Sequence, residues 1–363
     1  DVWMTTGSGP AGDTRESSVL NVLHTEFDKS SEFSDSFVQL VSAGPVFISQ
    51  GDTIVADSTA TAFAELPSTV QNVAKDSDNA QGSPSRCVRQ HRRTVTKWTG
   101  NMISEADSES QVIVAVADTM VALNAVYVKC NILHGNISDR AILLQQTVDG
   151  IKGVLAEFDY ASYAGANADE LPELMLFQSM RSLEDPKAVR TLLDDCESLL
   201  YLVCWLGTFG VNKAQREAYI AGLPKNPRPP IKNWNRGTAI EIAGRKRDYL
   251  VTLAAFRGRI LLYMRENSPL RPLALDMYRA LFLHPGCYGV TLLTDDDVAE
   301  IEDGNIHDAL LAVPVINRTR DPLVLRYAFM AAIVANLLGV LARHKDVALA
   351  ALGTAAANTE GGA

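Results

Sequence analysis

Two short stretches hold most of the side chains placed where loop chemistry could be done. The first is Leu133-His134-Gly135-Asn136-Ile137-Ser138-Asp139-Arg140-Ala141-Ile142-Leu143. The second, a short turn later, is Gly153-Val154-Leu155-Ala156-Glu157-Phe158-Asp159-Tyr160-Ala161. Asp139, Glu157 and Asp159 are hard oxygen donors of the kind that hold divalent cations or accept protons. Asn136 is different. An amide has no basic lone pair near neutral pH, so it can orient a hydroxyl but cannot take its proton. His134 also has a plainer reading, as a ring packed under the loop and bonded to backbone. Nucleophilic triads find no support, because there is no nucleophile elbow and the six histidines are scattered. Cys87, Cys130, Cys196, Cys204 and Cys287 are odd in number and form no CxxC pair. They read as reduced thiols, not as a disulfide framework or a zinc site. Asp295-Asp296-Asp297 reads as a helix N-cap with first-turn acids, not as a metal cluster.

These stretches need elements to hold them. Val112, Val116, Met120, Leu123 and Tyr127 keep the three-to-four spacing of an amphipathic helix, which leads into the first stretch. Ala141 to Leu144 and Gly153 to Ala156 read as two short apolar strands around a turn. Upstream, Ser17 to Leu23 reads as a helix, Val46 to Ile48 and Thr53 to Ala56 as strands around Gln50-Gly51-Asp52, and Arg89 to Trp98 as a strand. Residues 76–86 are polar with Gly and Pro, and read as an exposed insertion. Beyond Leu192 the pattern is helix and loop. The most apolar stretch, Tyr327 to Ala342, holds Asn336 and Gly339 and is short for a membrane span, so a buried core helix is the reading. The tail over 348–363 is rich in Ala and Gly and is expected to fray. The order of strands with one helix, then mainly helices, is an α+β arrangement of two unequal lobes: 1–105, then 106–347.

The chain has 363 residues, a formal net charge of −10 and a pI near 5.1. That balance repels nucleic acid and anionic membrane surfaces, so neither is an expected partner. The basic run Arg86 to Lys97 reads mainly as the solvated face of its strand. An intracellular, cytoplasmic setting follows from the reduced-thiol reading.

The frame of the two stretches resembles the catalytic loop and the D-F-G turn of protein kinases, where H-R-D-x-x-x-x-N is followed by strand, turn, strand and an acid. The Ile137-Ser138 and Phe158-Asp159 pairs are similar to the fungal-type protein kinase family, which tends to read L-H-R-D-I-S-x-x-N-I-L and then G-x-L-I-D-F-D-L-A. Arg89-Gln90-His91-Arg92-Arg93-Thr94-Val95 is similar to its R-x-H-Y-R-x-V strand. Asp195-Cys196-Glu197-Ser198-Leu199-Leu200-Tyr201 through Trp205 is similar to its D-L-E-S-L-F-Y-x-L-x-W helix. Ile231-Lys232-Asn233-Trp234 with Lys246 is similar to its L-x-x-W segment. The resemblance runs from about Glu16 to Leu283 and implies a protein-kinase-like two-lobed fold with a reduced N-lobe. It also implies structural roles for Glu16, His134, Phe158 and Asp195. By the resemblance, Asp195 caps the large helix and braces the loop backbone.

The departures are chemical. By the resemblance, Asn136 stands where the proton-accepting Asp belongs, Ala141 where a Mg²⁺-binding Asn belongs, and Gly135 where an Arg belongs. Glu157 replaces the metal-binding Asp with a side chain one methylene longer, which octahedral Mg²⁺ tolerates poorly. No Lys precedes Glu16, and Gly7-Ser8-Gly9 is a poor phosphate loop. The implied function is that of a catalytically inactive kinase-like protein, a pseudokinase, that binds a protein partner or itself. No catalytic or metal residue is expected to be active, and ATP and Mg²⁺ are not expected cofactors. Glu157 and Asp159 are the weak candidates for residual cofactor binding. Three other readings stay open: an assembly subunit of a large particle, a weak Ser/Thr kinase using Glu157, Asp159 and Asp139, and an unrelated helical protein.

Overall fold

Ser108 and Asn131 bracket the helix around which the larger part of the molecule is built. The Ser108 hydroxyl accepts the Gln111 amide at 3.4 Å, and Asn131 closes the other end in a left-handed conformation with φ 55°. An N-cap hydroxyl and an αL C-cap are the local signals that start and stop a helix. The structure is a computed structural model. It describes residues 2–5, 15–27, 31–45, 47–50, 53–56, 89–97, 99–148, 150–165, 175–222, 229–283 and 322–360.

The chain divides into two compact units. One takes Asp1–Thr25 with Val38–Trp98, the other Glu26–Phe37 with Thr99–Ala363. The smaller unit contains β1 (Val2–Thr5), most of α1 (Arg15–Glu26), β2 (Leu40–Pro45), β3 (Phe47–Gln50), β4 (Thr53–Ala56) and β5 (Arg89–Thr96). Its antiparallel sheet has the order β1-β5-β2, and β3 and β4 form a separate hairpin. The expected insertion over 76–86 and the acid run at 295–297 lie outside the described residues.

The larger unit begins with β6 (Asn101–Met102), α2 (Glu109–Cys130), β7 (Ile132–Leu133), β8 (Ile142–Thr147), β9 (Gly150–Leu155) and β10 (Ser162–Tyr163). It continues with α3 (Met180–Glu184), α4 (Leu192–Phe209), α5 (Lys213–Gly222), α6 (Ala239–Leu250), α7 (Leu253–Arg259), α8 (Leu270–Phe282) and α9 (Pro322–Glu360). β8 pairs antiparallel with β6 on one side and β9 on the other, while β7 pairs with β10. The architecture is the expected α+β, mostly helical in the larger unit.

Glu26–Phe37 joins the larger unit for a visible reason. The Ser36 carbonyl accepts the Leu155 N–H at 2.9 Å, and Phe37 bridges Leu155 in parallel register. The Phe37 ring then meets Phe158 edge-on at 6.3 Å. The division between the two units falls at Trp98/Thr99, with Glu26–Phe37 belonging to the larger one.

The core of the larger unit is α2 and α4 with what packs on them. Val112, Val114, Ala115, Val116 and Met120 of α2 are fully buried, as are Leu199, Leu200, Leu202 and Leu206 of α4. Each Val, Leu or Met side chain among these contributes roughly 1.5–3 kcal/mol by leaving water. α2 is long and apolar enough to cross a membrane by length and composition, but most of it is buried inside the fold. β9 lies so close to α2 that a Cβ on Gly153 would sit 2.5 Å from the Ala115 carbonyl oxygen. That neighbour is helix backbone and cannot yield. Gly153→Ala is expected to cost about 2 kcal/mol or more through overpacking, read as a lower urea midpoint. An unchanged midpoint would mean that β9 stands further from α2.

α9 runs as one helix of 39 residues from Pro322 to Glu360. Alanine is the best helix former, and Ala348 is buried. The helix packs on α2 and α8 through Ile333, Val334, Leu337, Val340 and Leu341. Lys345 reaches Asp118 of α2 at 2.6 Å, and His344 reaches Asp276 of α8 at 3.0 Å.

Candidate functional site: a braced loop between β7 and β8

The loop from His134 to Ala141 is held from below by one carboxylate. Asp195, in the first turn of α4, accepts the His134 backbone N–H at 2.9 Å and the Gly135 N–H at 2.8 Å. The carboxylate is fully buried, and burial pushes its pKa up to about 6. The two amide bonds and Arg190 pull the other way. At neutral pH it is therefore still an anion, held by fixed N–H dipoles.

His134 uses both ring nitrogens on backbone. Nε2 donates to the Ala156 carbonyl at 2.8 Å, and Nδ1 accepts the Asn136 N–H at 3.3 Å. That pattern fits only the neutral ring. Burial agrees, lowering its pKa to about 4. The ring packs on Phe158 with centroids 4.7 Å apart. His134 thus ties β7 to the end of β9 and has no free nitrogen for proton transfer.

Gly135 has φ +76°, and a Cβ there would meet an Arg190 guanidinium nitrogen at 2.5 Å and the Tyr160 carbonyl oxygen at 2.7 Å. Arg190 is itself buried. The loop position that lacks a cation thus has one beside it, delivered from the segment before α4.

Asn136 lies half-buried on the loop. Ala141 is fully buried, its N–H donating to the Ser138 carbonyl at 3.3 Å and its own carbonyl accepting the Ala156 N–H at 2.9 Å. Its methyl group can coordinate nothing. Glu157 follows Ala156 in the left-handed region, φ 58° and ψ 58°. For a residue other than Gly this costs on the order of 1 kcal/mol or more. Its carboxyl pKa is raised, first by burial and then by Asp159, with Asp139 adding and Arg140 opposing. Asp159 and Asp139 are thus both near enough to Glu157 to disfavour its charge. Among the described residues, however, no group of three or more His, Cys, Asp or Glu is placed to hold a metal ion. Asn136 and Ala141 add no carboxylate to this set. Glu16 lies in the first turn of α1.

The resemblance implies two tasks for Asp195, bracing and capping, and in the structure two residues share them. Asp195 braces the loop, while Asp194 does the capping: its carboxylate accepts the Thr191 N–H at 2.7 Å. The T-x-x-D spacing of Thr191 and Asp194 is a capping-box pattern and could have been read. Asp194 also accepts the Ser179 hydroxyl at 2.7 Å and pairs with Arg181. Two other members of the site gave no local signal. Arg190 and Gln178 act on groups far away in the chain, as in the 3.4 Å bond from the Gln178 amide to the Gly135 carbonyl.

The sequence pattern described as "Fungal protein kinase" matches residues 14–207, which include both stretches, the bracing Asp195 and most of α4. No curated protein sequence matches the chain. Among solved structures, the PK-1 kinase of the Cydia pomonella granulovirus is similar at 8% sequence identity, over 75% of this chain and 76% of that one, with a TM-score of 0.37. The sequence match covers more than half of the chain, and the chain belongs to the fungal protein kinase family.

Proposed function

We propose that this chain is a catalytically silent member of its family and acts by binding. The observation that carries the reading is the pair Asn136 and Ala141 on a loop that is otherwise braced. An amide replaces the group that would take the substrate proton, and a buried methyl replaces a metal ligand. Losing a general base alone costs 10²–10⁴ in rate, about 3–5 kcal/mol of barrier. Phosphoryl transfer relies on positioning and on charge neutralisation by metal for most of the rest. Of the groups that remain, His134 and Asp195 are engaged in holding backbone, and Phe158 packs between the His134 and Phe37 rings.

The binding partner in this reading is another protein or a second copy of the chain. Supporting it, α9 extends beyond the family-matched stretch and carries Val347, which is 71% exposed, and the exposed Leu349. Sedimentation over a wide concentration range tests the second copy. A single monomer species throughout would leave a different protein as the partner.

Thermal denaturation tests nucleotide binding. A ligand at a hundred times its dissociation constant adds about 2.7 kcal/mol of stability. The expected result is no rise in midpoint with millimolar Mg-ATP. A saturating rise that disappears in Glu157→Ala would overturn the reading.

A further inference from the structure

Most of α2 is buried, but one stripe of it is open. Val121, Ala125 and Val128 have the spacing that puts residues on one helix face, and Val121 and Val128 are exposed. Together with Leu338 and Ala342 of α9 and the Phe27 and Phe33 rings, they line a groove of about 630 Å³. Phe27 is fixed by its ring neighbours, Phe33 at 5.8 Å and the fully buried Phe37 at 5.4 Å, so that part of the lining is preformed. A volume of this size, a mainly apolar lining and a few polar groups are the marks of a small-molecule site.

The polar groups of the lining are Ser31, Asn124 and Lys129. Lys129 stands at the end of the stripe, about 12 Å along the helix from Val121. Its Nζ donates to the Glu26 carbonyl and lies 4.6 Å from the centre of the Phe27 ring. Neither partner carries a formal charge, and among the described residues no ion pair involves Lys129. An ammonium has three N–H donors, so this one can still meet an anion at its end of the groove.

We propose that this groove binds a free single-chain carboxylate, its alkyl chain along Val121, Ala125 and Val128 and its carboxylate on Lys129. A partner protein fits less well. A stable protein–protein interface buries about 1,200 Å² or more, and an apolar stripe some two turns long offers only part of that. An alkyl chain needs no more than such a stripe, and one cation at its end suits one anionic head. Leu338 and Ala342 lie outside the stretch that matches the fungal kinase family, so the family pattern does not contain this groove. The silent-loop reading does not require it either.

Isothermal titration of the full chain with decanoate, kept below its micellar range, tests this. Decanoate should bind saturably at one site. Decanol, which has the chain without the charge, should bind about tenfold more weakly or worse, the expected worth of a hydrogen bond to a charged group. Lys129→Met should weaken decanoate by a similar factor and leave decanol unchanged, while Lys129→Arg should keep the preference for decanoate. Ala342→Trp, at an exposed position of α9, should fill the groove and block both ligands. The proposal is overturned by no saturable binding of decanoate, or by equal affinity for decanoate and decanol. Decanoate binding that is unchanged in Lys129→Met or in Ala342→Trp overturns it too, since the ligand would then sit elsewhere. The two Lys129 variants decide the matter if Ala342→Trp does not fold.

Discussion

Asp195→Ala is expected to cost about 3–5 kcal/mol, the range for breaking a buried charge from its partners. The substitution leaves the His134 and Gly135 N–H groups without their acceptor, each worth roughly 1–3 kcal/mol when buried and unmet. It also leaves the nearby Arg190 facing an empty space. Against a total stability of about 5–15 kcal/mol, that is a large fraction. Urea denaturation followed by far-UV circular dichroism measures it. Asp195→Asn should fall between wild type and Ala, because the amide keeps one acceptor oxygen and turns an NH₂ toward the second N–H. A cost below about 1 kcal/mol for Asp195→Ala would mean that the loop is held by something other than this carboxylate.

The second large effect appears with pH. Native His134 releases its proton at about 4, against an ordinary 6.5, so between those values the unfolded chain binds the extra proton. Stability from His134 is therefore present above pH 6.5 and is lost as pH falls toward 4. Native Asp195 behaves in reverse. Its pKa is raised to about 6 from 3.8, so the native chain holds a proton the unfolded chain has shed, and stability from this group falls as pH rises through the same window. At 1.36 kcal/mol per unit, each effect is roughly 3 kcal/mol and the two nearly cancel between pH 4 and 6. Removing one member exposes the other. The stability difference between wild type and His134→Asn should grow by about 3 kcal/mol from pH 4 to 6.5 in favour of wild type. A difference that is flat with pH would mean that His134 titrates normally in the fold.

Much of this architecture was legible in the sequence because it rests on short-range signals. The spacing of Val112, Val116, Met120 and Leu123 specified α2. The two apolar runs after Asp139 specified β8 and β9, and the ordered motifs pointed to the family. What was illegible depends on contacts between distant parts of the chain. Nothing local to Glu26–Phe37 says that it will attach to β9, since the partner of Ser36 is Leu155. Lys246 was visible as a motif position, but its cage of Gln178, Tyr201 and Trp234 comes from three other segments. Arg190 beside Gly135 is a further case: the sequence shows a missing cation, and only the fold shows one supplied from elsewhere. The helical course of α9 to Glu360 is another: composition alone shows many alanines, which favour helix, but not that Leu337 and Leu341 are buried in the fold.

The loss of chemistry is the central claim, and direct transfer of labelled γ-phosphate tests it. The assay incubates the chain with Mg-ATP or Mn-ATP and a generic protein substrate, in parallel with Glu157→Ala and Asp159→Ala. The account predicts no incorporation above that of the two variants, in the substrate or in the chain itself. Incorporation by the wild type that disappears in either variant would contradict it, because these acids would then be doing the work that Asn136 and Ala141 cannot.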